Sequence, residues 1–269
     1  MNQAHLSATP HPLIYIQSGI GESLCKNFAA NGAKAVVVVD INEAGAKRVA
    51  GEIKACPTLG MRVNCGNEAE IRRSIAATEA LFGSVDVVCA NAGIGQGGGA
   101  EVTNEEWEQI NNINVMQSVF LARHAVPNML KRGGGSFLVT ASAAGLLTQI
   151  GSMPYAVTKA AAVAVAEWLS ITYGSQGLQV TCLCPQAVRT AMTAGAEEGV
   201  AALDGMLEPD DVAQQVFDAL SAGKFMLTPH KDVLTYIQRK ATDYDRWVGG
   251  MQRLNARMNG AMAGPGAKL

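Results

Sequence analysis

Tyr155 and Lys159 stand four residues apart in an Ala/Val-rich stretch, residues 154–173, whose composition predicts a helix. At that spacing the two side chains share one helix face. A free tyrosine, with a pKa of about 10, is a poor base at neutral pH. A lysine ammonium beside it favours the phenolate and lowers that pKa, each pH unit needing about 1.4 kcal/mol of differential stabilisation. Ser142 lies thirteen residues before the tyrosine, at the end of an apolar run. Its hydroxyl can hold a substrate oxygen while the tyrosine moves the proton. These three residue types suit acid–base catalysis at an alcohol or carbonyl. A tyrosine at a core boundary with a solvated lysine is the other reading of the pair alone, so the surrounding elements decide.

Those elements alternate. Residues 13–16, Leu-Ile-Tyr-Ile, read as a short buried strand. Gln17-Ser18-Gly19-Ile20-Gly21 follows, then a helix that stops near Asn31-Gly32. Residues 35–39 are a β-branched run closed by Asp40. Strand, glycine turn, helix, strand and acid make a βαβ unit able to bind a dinucleotide. The pyrophosphate belongs at the N-terminus of the helix beginning near Ile20, where unpaired N–H groups and the helix dipole favour an anion. Asp40 can accept hydrogen bonds from both hydroxyls of the adenosine ribose and would repel a 2′-phosphate. No Lys or Arg stands in 13–24 or 41–46 to offset that repulsion, which favours NAD over NADP. Asp40 as a helix cap with Asn42 is the competing reading.

The pattern continues through helix 43–55, strand 59–63, Asn64-Cys65, helix 68–82 and strand 85–90, which ends in Asn91-Ala92-Gly93. Residues 93–99 read as a flexible loop. Thr103 and Glu106 match a capping box opening a helix that runs past Asn114 to about residue 131. Strand 136–140 delivers Ser142, and strand 178–184 leads into Pro185-Gln186-Ala187-Val188-Arg189-Thr190. Residues 191–207 read as a mobile lid with few anchors. Another helix opens at Pro209, and residues 224–227 read as a last short strand. Residues 231–258 have helical spacing, with a kink or division expected at Gly249-Gly250.

Ser142 with Tyr155-Ala-Val-Thr-Lys159 resembles the active site of the short-chain dehydrogenase/reductase family. The likeness extends, in the same order, over residues 13–230. Gly19 and Gly21 fill the last two glycine positions of the family's T-G-x-x-x-G-x-G. Asn64-Cys65 stands where the family often has Asp-Val, Asn91-Ala92-Gly93 matches its N-A-G, and Asn114 matches its catalytic asparagine. Pro185, Val188 and Thr190 match P-G-x-V-x-T. The chain departs from the pattern at Ile14 and Tyr15, in place of the threonine and first glycine, and at Gln186, in place of a glycine. A shifted strand register, a divergent N-terminal segment and impaired cofactor binding are three accounts of the first departure.

The resemblance implies a single doubly wound α/β domain over 1–269, Rossmann-type, with a mostly parallel seven-stranded sheet flanked by helices and flexible ends at 1–11 and 260–269. It implies NAD held by Ser18, Gly19, Ile20, Gly21, Asp40, Asn64, Cys65, Asn91, Ala92, Gly93, Tyr155, Lys159, Pro185, Val188 and Thr190. Tyr155 would exchange the proton, Lys159 support it and hold the nicotinamide ribose, and Ser142 orient the substrate oxygen. Asn114 would distort its helix and hold a water linking Lys159 to solvent. A homo-oligomer, dimer or tetramer, is implied, with small residues such as Ala160 and Ala164 at an interface.

Composition agrees. With 48% apolar residues, 5% aromatics and 29 glycines, the chain suits helices packed closely on a sheet with glycine turns. A formal charge of −2 and a pI of about 6.1 give no basic patch for nucleic acid. No apolar run reaches the roughly 18 residues of a membrane span, and residues 1–17 lack the form of a secretory signal. The cysteines form no C-x-x-C pair and the four histidines have no ligand spacing, so free thiols, a reducing cytoplasm and no metal are expected. Cys182 and Cys184 should share one face of a strand. Leu146, Leu147, Ile150 and Met192 are expected to line the substrate pocket, suiting a small hydrophobic alcohol or ketone. Two alternatives stay open: a scaffold protein with an altered cofactor loop, and an NADP-dependent carbonyl reductase.

Overall fold

Strand and helix alternate in the computed structural model, which describes residues 12–14, 19–195 and 199–262. β1 (Pro12–Ile14), α1 (Ile20–Ala30), β2 (Ala35–Asp40), α2 (Glu43–Glu52), β3 (Thr58–Arg62), α3 (Glu68–Phe82) and β4 (Val87–Ala90) come first. α4 (Asn104–Asn111) runs through a π-helical turn (Asn112–Met116) into α5 (Gln117–Lys131). Next are β5 (Gly135–Thr140), α6 (Ala143–Leu147), α7 (Met153–Tyr173), β6 (Leu178–Leu183), α8 (Pro209–Ser221) and β7 (Met226–Leu227). α9 (Asp232–Thr242) and α10 (Tyr244–Met262) follow.

The seven strands form one sheet in the order β3-β2-β1-β4-β5-β6-β7, with every pairing parallel. β2, Ala-Val-Val-Val-Val-Asp, is buried at all its positions, as is β4. Strands covered by helices on both faces read as continuous apolar runs, which is why these segments do not alternate. Phe137, Leu138, Leu183, Leu24, Ile71 and Leu121 are almost wholly removed from water at the sheet–helix contacts. Each such side chain contributes about 1.5–3 kcal/mol by burial. Cys182 on β6 and Cys184 just past its end lie on the same side of the chain, with their Sγ atoms 3.7 Å apart. The strand order reverses between β1 and β4, so a crevice opens beyond the carboxyl ends of the strands there.

The helix starts follow their side chains. Thr103 Oγ1 accepts from Glu106 N (3.3 Å), and Thr103 N donates back to Glu106 Oε2 (3.1 Å), completing the predicted capping box. Asn67 caps α3, and Gly83 closes it in the left-handed region at φ 86°. The chain divides into two compact units, 1–229 and 230–269, close to where the family likeness ends. Within the second unit the break falls at Asp243 and not at Gly249-Gly250, which α10 carries straight through. Asp243 is extended, and its Oδ1 accepts from Arg246 N (3.0 Å), which starts a new helix more effectively than glycine ends one. The expected strand residues 15 and 16, and the flexible ends 1–11 and 263–269, lie outside the described residues; residues 260–262 are helical in α10.

Candidate active site

Residues just past the carboxyl ends of β4, β5 and β6 meet the first turn of α7 around a cavity of about 150 Å³. Asn91 and Gly93 follow β4, Thr140 and Ser142 close β5, and Pro185, Gln186, Val188 and Thr190 follow β6. Tyr155 and Lys159 enter from α7 and Ile20 from the start of α1. Ala191, Met192 and Thr193 complete the wall. Of the expected apolar lining only Met192 is present; Leu146, Leu147 and Ile150 stand outside it. Leu147 is instead buried on α6.

Lys159 is 3% exposed and donates from Nζ to Thr140 O at 2.9 Å. Its Nζ lies 5.6 Å from the centre of the Tyr155 ring. Burial lowers its pKa from 10.5 to about 8, opposed by the thiols of Cys184 and Cys182. Tyr155 has its pKa raised, chiefly by burial, while a hydrogen bond with Ser142 pulls the other way. This corrects the expectation that the lysine lowers the tyrosine's pKa. The ammonium is turned to a backbone carbonyl, and burial is the larger influence on the tyrosine.

Ser142 is extended (φ −173°) and caps α6, its Oγ accepting from Ala144 N at 3.1 Å and approaching Pro185 O at 3.3 Å. The serine therefore ties the ends of β5 and β6 together. α6, only five residues, is a piece of helix that the sequence reading missed; Ser142 as a cap was its available signal.

Asn114 lies in the π-helical turn. Its Oδ1 accepts from Ile94 N (2.9 Å), and its Nδ2 donates to Ile94 O (3.0 Å) and Thr158 Oγ1 (3.1 Å). The buried amide thus clasps the β4 exit to α7. Gly93 permits the approach: a Cβ there would sit 3.2 Å from Lys159 Nζ and 3.5 Å from Asn114 Oδ1. Thr140 and Thr158 are site residues that sequence reasoning missed. Thr140 Oγ1 also donates to Asn91 Oδ1 at 2.9 Å.

On the nucleotide side, Gly19 adopts φ 67° and ψ −126°, open to glycine, at the N-terminus of α1. A Cβ there would come within 2.7 Å of Thr190 Cγ2, so the start of α1 and the loop after β6 close on each other. Gly21 is buried in the first turn. Asp40 Oδ1 accepts from Asn42 N at 2.7 Å, and the cap of α2 is Asn42, whose Oδ1 accepts from Gly45 N at 3.1 Å. The capping role read for Asp40 therefore falls to Asn42. Asn64 Oδ1 accepts from Gly66 N at 3.0 Å, and buried Cys65 has its thiol pushed up to about 12 by burial and by the charges of Asp40 and Glu70. Asp40, Asn64 and Cys65 thus gather at the ends of β2 and β3, outside the cavity. Ala92 is buried and its carbonyl accepts from Gln117 Nε2. Ser18 and Tyr15 lie outside the described residues, while Ile14 is the last residue of β1, paired with Val37 and Val88.

The lid expectation is corrected in its described part. Ala187 N donates to Ala201 O (3.0 Å), Leu207 N to Ala187 O (3.1 Å) and Arg189 N to Leu207 O (2.9 Å). Backbone pairing anchors residues that the Ala/Gly-rich composition leaves unmarked. Thr193 knits the turn after β6, its Oγ1 donating to Val188 O (2.6 Å) and accepting from Thr190 N (3.1 Å). A nicotinamide dinucleotide fits this arrangement. The N-terminus of α1 suits a pyrophosphate, Asp40 stands one strand away for a ribose, and Ile20 and Thr190 lead to Tyr155.

Known proteins share this architecture. The short chain dehydrogenase family profile matches residues 16–201. The 1-deoxy-11-beta-hydroxypentalenate dehydrogenase of Streptomyces exfoliatus is 33% identical over 252 residues, 91% of each chain. The 2,5-dichloro-2,5-cyclohexadiene-1,4-diol dehydrogenase of Sphingobium indicum is 31% identical over 77% of this chain and 79% of its own. A short chain dehydrogenase/reductase from Burkholderia phymatum, solved in complex with NAD, superposes with a TM-score of 0.78 at 25% identity, covering 88% of this chain and 94% of that one. The chain belongs to the short-chain dehydrogenase/reductase family and is an oxidoreductase acting on CH–OH donors.

Proposed function

We infer that the protein interconverts a secondary alcohol and a ketone with NAD, Tyr155 acting as the general acid and base. The observation that carries this is the convergence of Ser142, Tyr155 and Lys159 on one cavity that also reaches the head of α1. Bound NAD supplies the hydride acceptor. In oxidation the Tyr155 oxygen takes the hydroxyl proton, and in reduction it returns one to the carbonyl oxygen. Ser142, fixed between Ala144 N and Pro185 O, orients that oxygen. Lys159 offers positive charge beside the tyrosine and hydroxyl-binding capacity toward the nicotinamide ribose. Asn114 is a positioning residue that holds the Ile94 backbone against α7, and the water linking Lys159 to solvent belongs beside it.

Asp40 at the end of β2 supports NAD over NADP by repulsion of a 2′-phosphate. Ser18, Gly19, Ile20, Gly21, Asn91, Ala92, Gly93, Pro185, Val188 and Thr190 complete the cofactor contacts, with Asn64 and Cys65 at the adenine. The substrate is a small alcohol or ketone with apolar parts, and the protein works in the cytoplasm. The groove between α5 and α7, lined by Val126, Leu130, Trp168 and Tyr173 and about 670 Å³ in volume, supports a homo-oligomer, dimer or tetramer. Trp168, 57% exposed, is a large apolar side chain for a partner copy to cover.

Tyr155→Phe tests the assignment. It should preserve the thermal unfolding midpoint and NADH binding while abolishing turnover of a panel of secondary alcohols; near-normal turnover defeats the mechanism. Titration with NADH and NADPH, followed by nicotinamide fluorescence, tests the cofactor. NADH should bind more tightly, tighter NADPH binding reverses the Asp40 argument, and no saturable signal with either favours a scaffold.

A further inference from the structure

Thr158 precedes Lys159 on α7 and is 2% exposed. Polar groups of two segments enclose its hydroxyl. Oγ1 lies 2.8 Å from Pro154 O and 3.1 Å from Tyr155 O, one turn back on the same helix. It also lies 3.1 Å from Asn114 Nδ2 in the π-helical turn.

The direction of each bond follows from what the groups can do. Ile94 N can only donate, so the Asn114 atom 2.9 Å from it is the oxygen. Ile94 O can only accept, so the atom 3.0 Å from it is the nitrogen. The carboxamide therefore has one orientation, and its second N–H goes to Thr158 Oγ1. Having accepted there, the threonine turns its single hydrogen to the carbonyls of Pro154 and Tyr155. Both Asn114 amide hydrogens are used, and Oδ1 keeps one lone pair. A Cβ added to Gly93 would stand 3.5 Å from that Oδ1 and 3.2 Å from Lys159 Nζ, so the glycine leaves both atoms bordering one space. An ammonium carries donors only, and the amide meets it with an acceptor. Without the threonine hydroxyl, one N–H of a buried amide has no acceptor, which costs more than an ordinary bond gains.

We propose that Thr158 is a positioning residue for proton transfer: its hydroxyl locks the Asn114 carboxamide with its oxygen toward Lys159 and ties it to the turn carrying Tyr155. This rests on the oxidoreductase reading given above and adds a residue to that reaction. Packing alone would be served by valine, which has nearly the same shape; the proposal requires the hydroxyl.

Thr158→Val, Thr158→Ala and Thr158→Ser separate the two roles in secondary-alcohol oxidation with NAD. The valine and alanine variants should lose about tenfold in kcat, the worth of one well-made buried hydrogen bond, with NADH binding within about twofold of wild type. The serine variant keeps the hydroxyl and should stay within about threefold of wild-type kcat. Deuterium oxide should slow the valine variant by a larger factor than wild type, because the weakened step moves a proton. If Thr158→Val does not fold, Thr158→Ala reads the same quantities. A kcat within about twofold of wild type in the hydroxyl-free variants, an equal loss in the serine variant, NADH binding lost in step with kcat, or an unchanged solvent isotope effect overturns this inference and leaves the oxidoreductase reading standing. No turnover of any secondary alcohol by the wild-type protein with either nicotinamide cofactor overturns both.

Discussion

Replacing Lys159 by methionine should stabilise the protein near neutrality and destabilise it in alkali. The folded state lowers the lysine's pKa from 10.5 to about 8 because the ammonium is stripped of water. Below pH 8 the folded and unfolded chains both hold the proton, and the folded chain bears the full cost of the buried charge. Between pH 8 and 10.5 only the unfolded chain holds it, so stability rises with pH. Above that range neither does and the cost is gone. The displacement corresponds to about 3 kcal/mol. Methionine fits a buried linear site without charge, but it loses the bond to Thr140 O, about 1 kcal/mol. The variant should then be more stable than wild type by about 2 kcal/mol near pH 7 and less stable by about 1 kcal/mol near pH 10.5, crossing between. Urea unfolding followed by tryptophan fluorescence across this range measures the difference directly, and groups common to both proteins cancel. A difference that stays flat with pH, or that favours the variant more strongly in alkali, refutes the reasoning.

Thr148 is the one non-glycine among the described residues with a left-handed φ, 73° with ψ 160°, a region that β-branched side chains resist. Thr148→Gly should raise stability by about 1 kcal/mol in a thermal melt. Gly19→Ala should weaken NADH binding more than about tenfold through backbone strain and the clash with Thr190 Cγ2. Adding Thr190→Ser, which deletes that methyl, should recover part of the loss in a fluorescence titration. Because burial raises the Tyr155 pKa, little phenolate is present at neutrality. Alcohol oxidation should accelerate as pH rises from about 7 to 9 while ketone reduction, which uses the protonated phenol, stays nearly level, and parallel initial-rate profiles in the two directions check the contrast.

Tyr155 and Lys159 could be read from the chain because a four-residue spacing on a helix is a local fact, and Thr103 with Glu106 for the same reason. Asp40 at the end of an apolar strand, and the parallel sheet itself, follow from the unbroken valine run of β2. The tyrosine's electrostatics could not be read this way. Whether Lys159 lowers its pKa depends on where Nζ points, and Thr140 O, nineteen residues away on another strand, decides that. The anchoring of residues 199–207 was hidden because backbone pairing with 187–189 needs no particular side chains. Gln186 was visible as a departure from glycine, but its tether to Asp204 spans eighteen residues and marks neither by pattern. The helix break at Asp243 shows one local rule overriding another, a capping aspartate outweighing a glycine pair.

The departures from local preference gather at one end of the sheet. A buried lysine, a β-branched residue at positive φ and a π-helical turn all lie within the loops and helix starts beyond β4, β5 and β6. Each is unfavourable by itself, and strained or desolvated groups persist only where surrounding structure over-determines them. Here that structure is a parallel sheet whose central strands β4, β5 and β6 are almost wholly buried, together with the clasp of Asn114 on Ile94 and Thr158. If these features serve the chemistry, relieving them should move stability and turnover in opposite directions. Lys159→Met at neutral pH is the sharpest case: a more stable protein with no turnover. A variant that gained stability there and kept its activity would show the buried lysine to be an accident of packing.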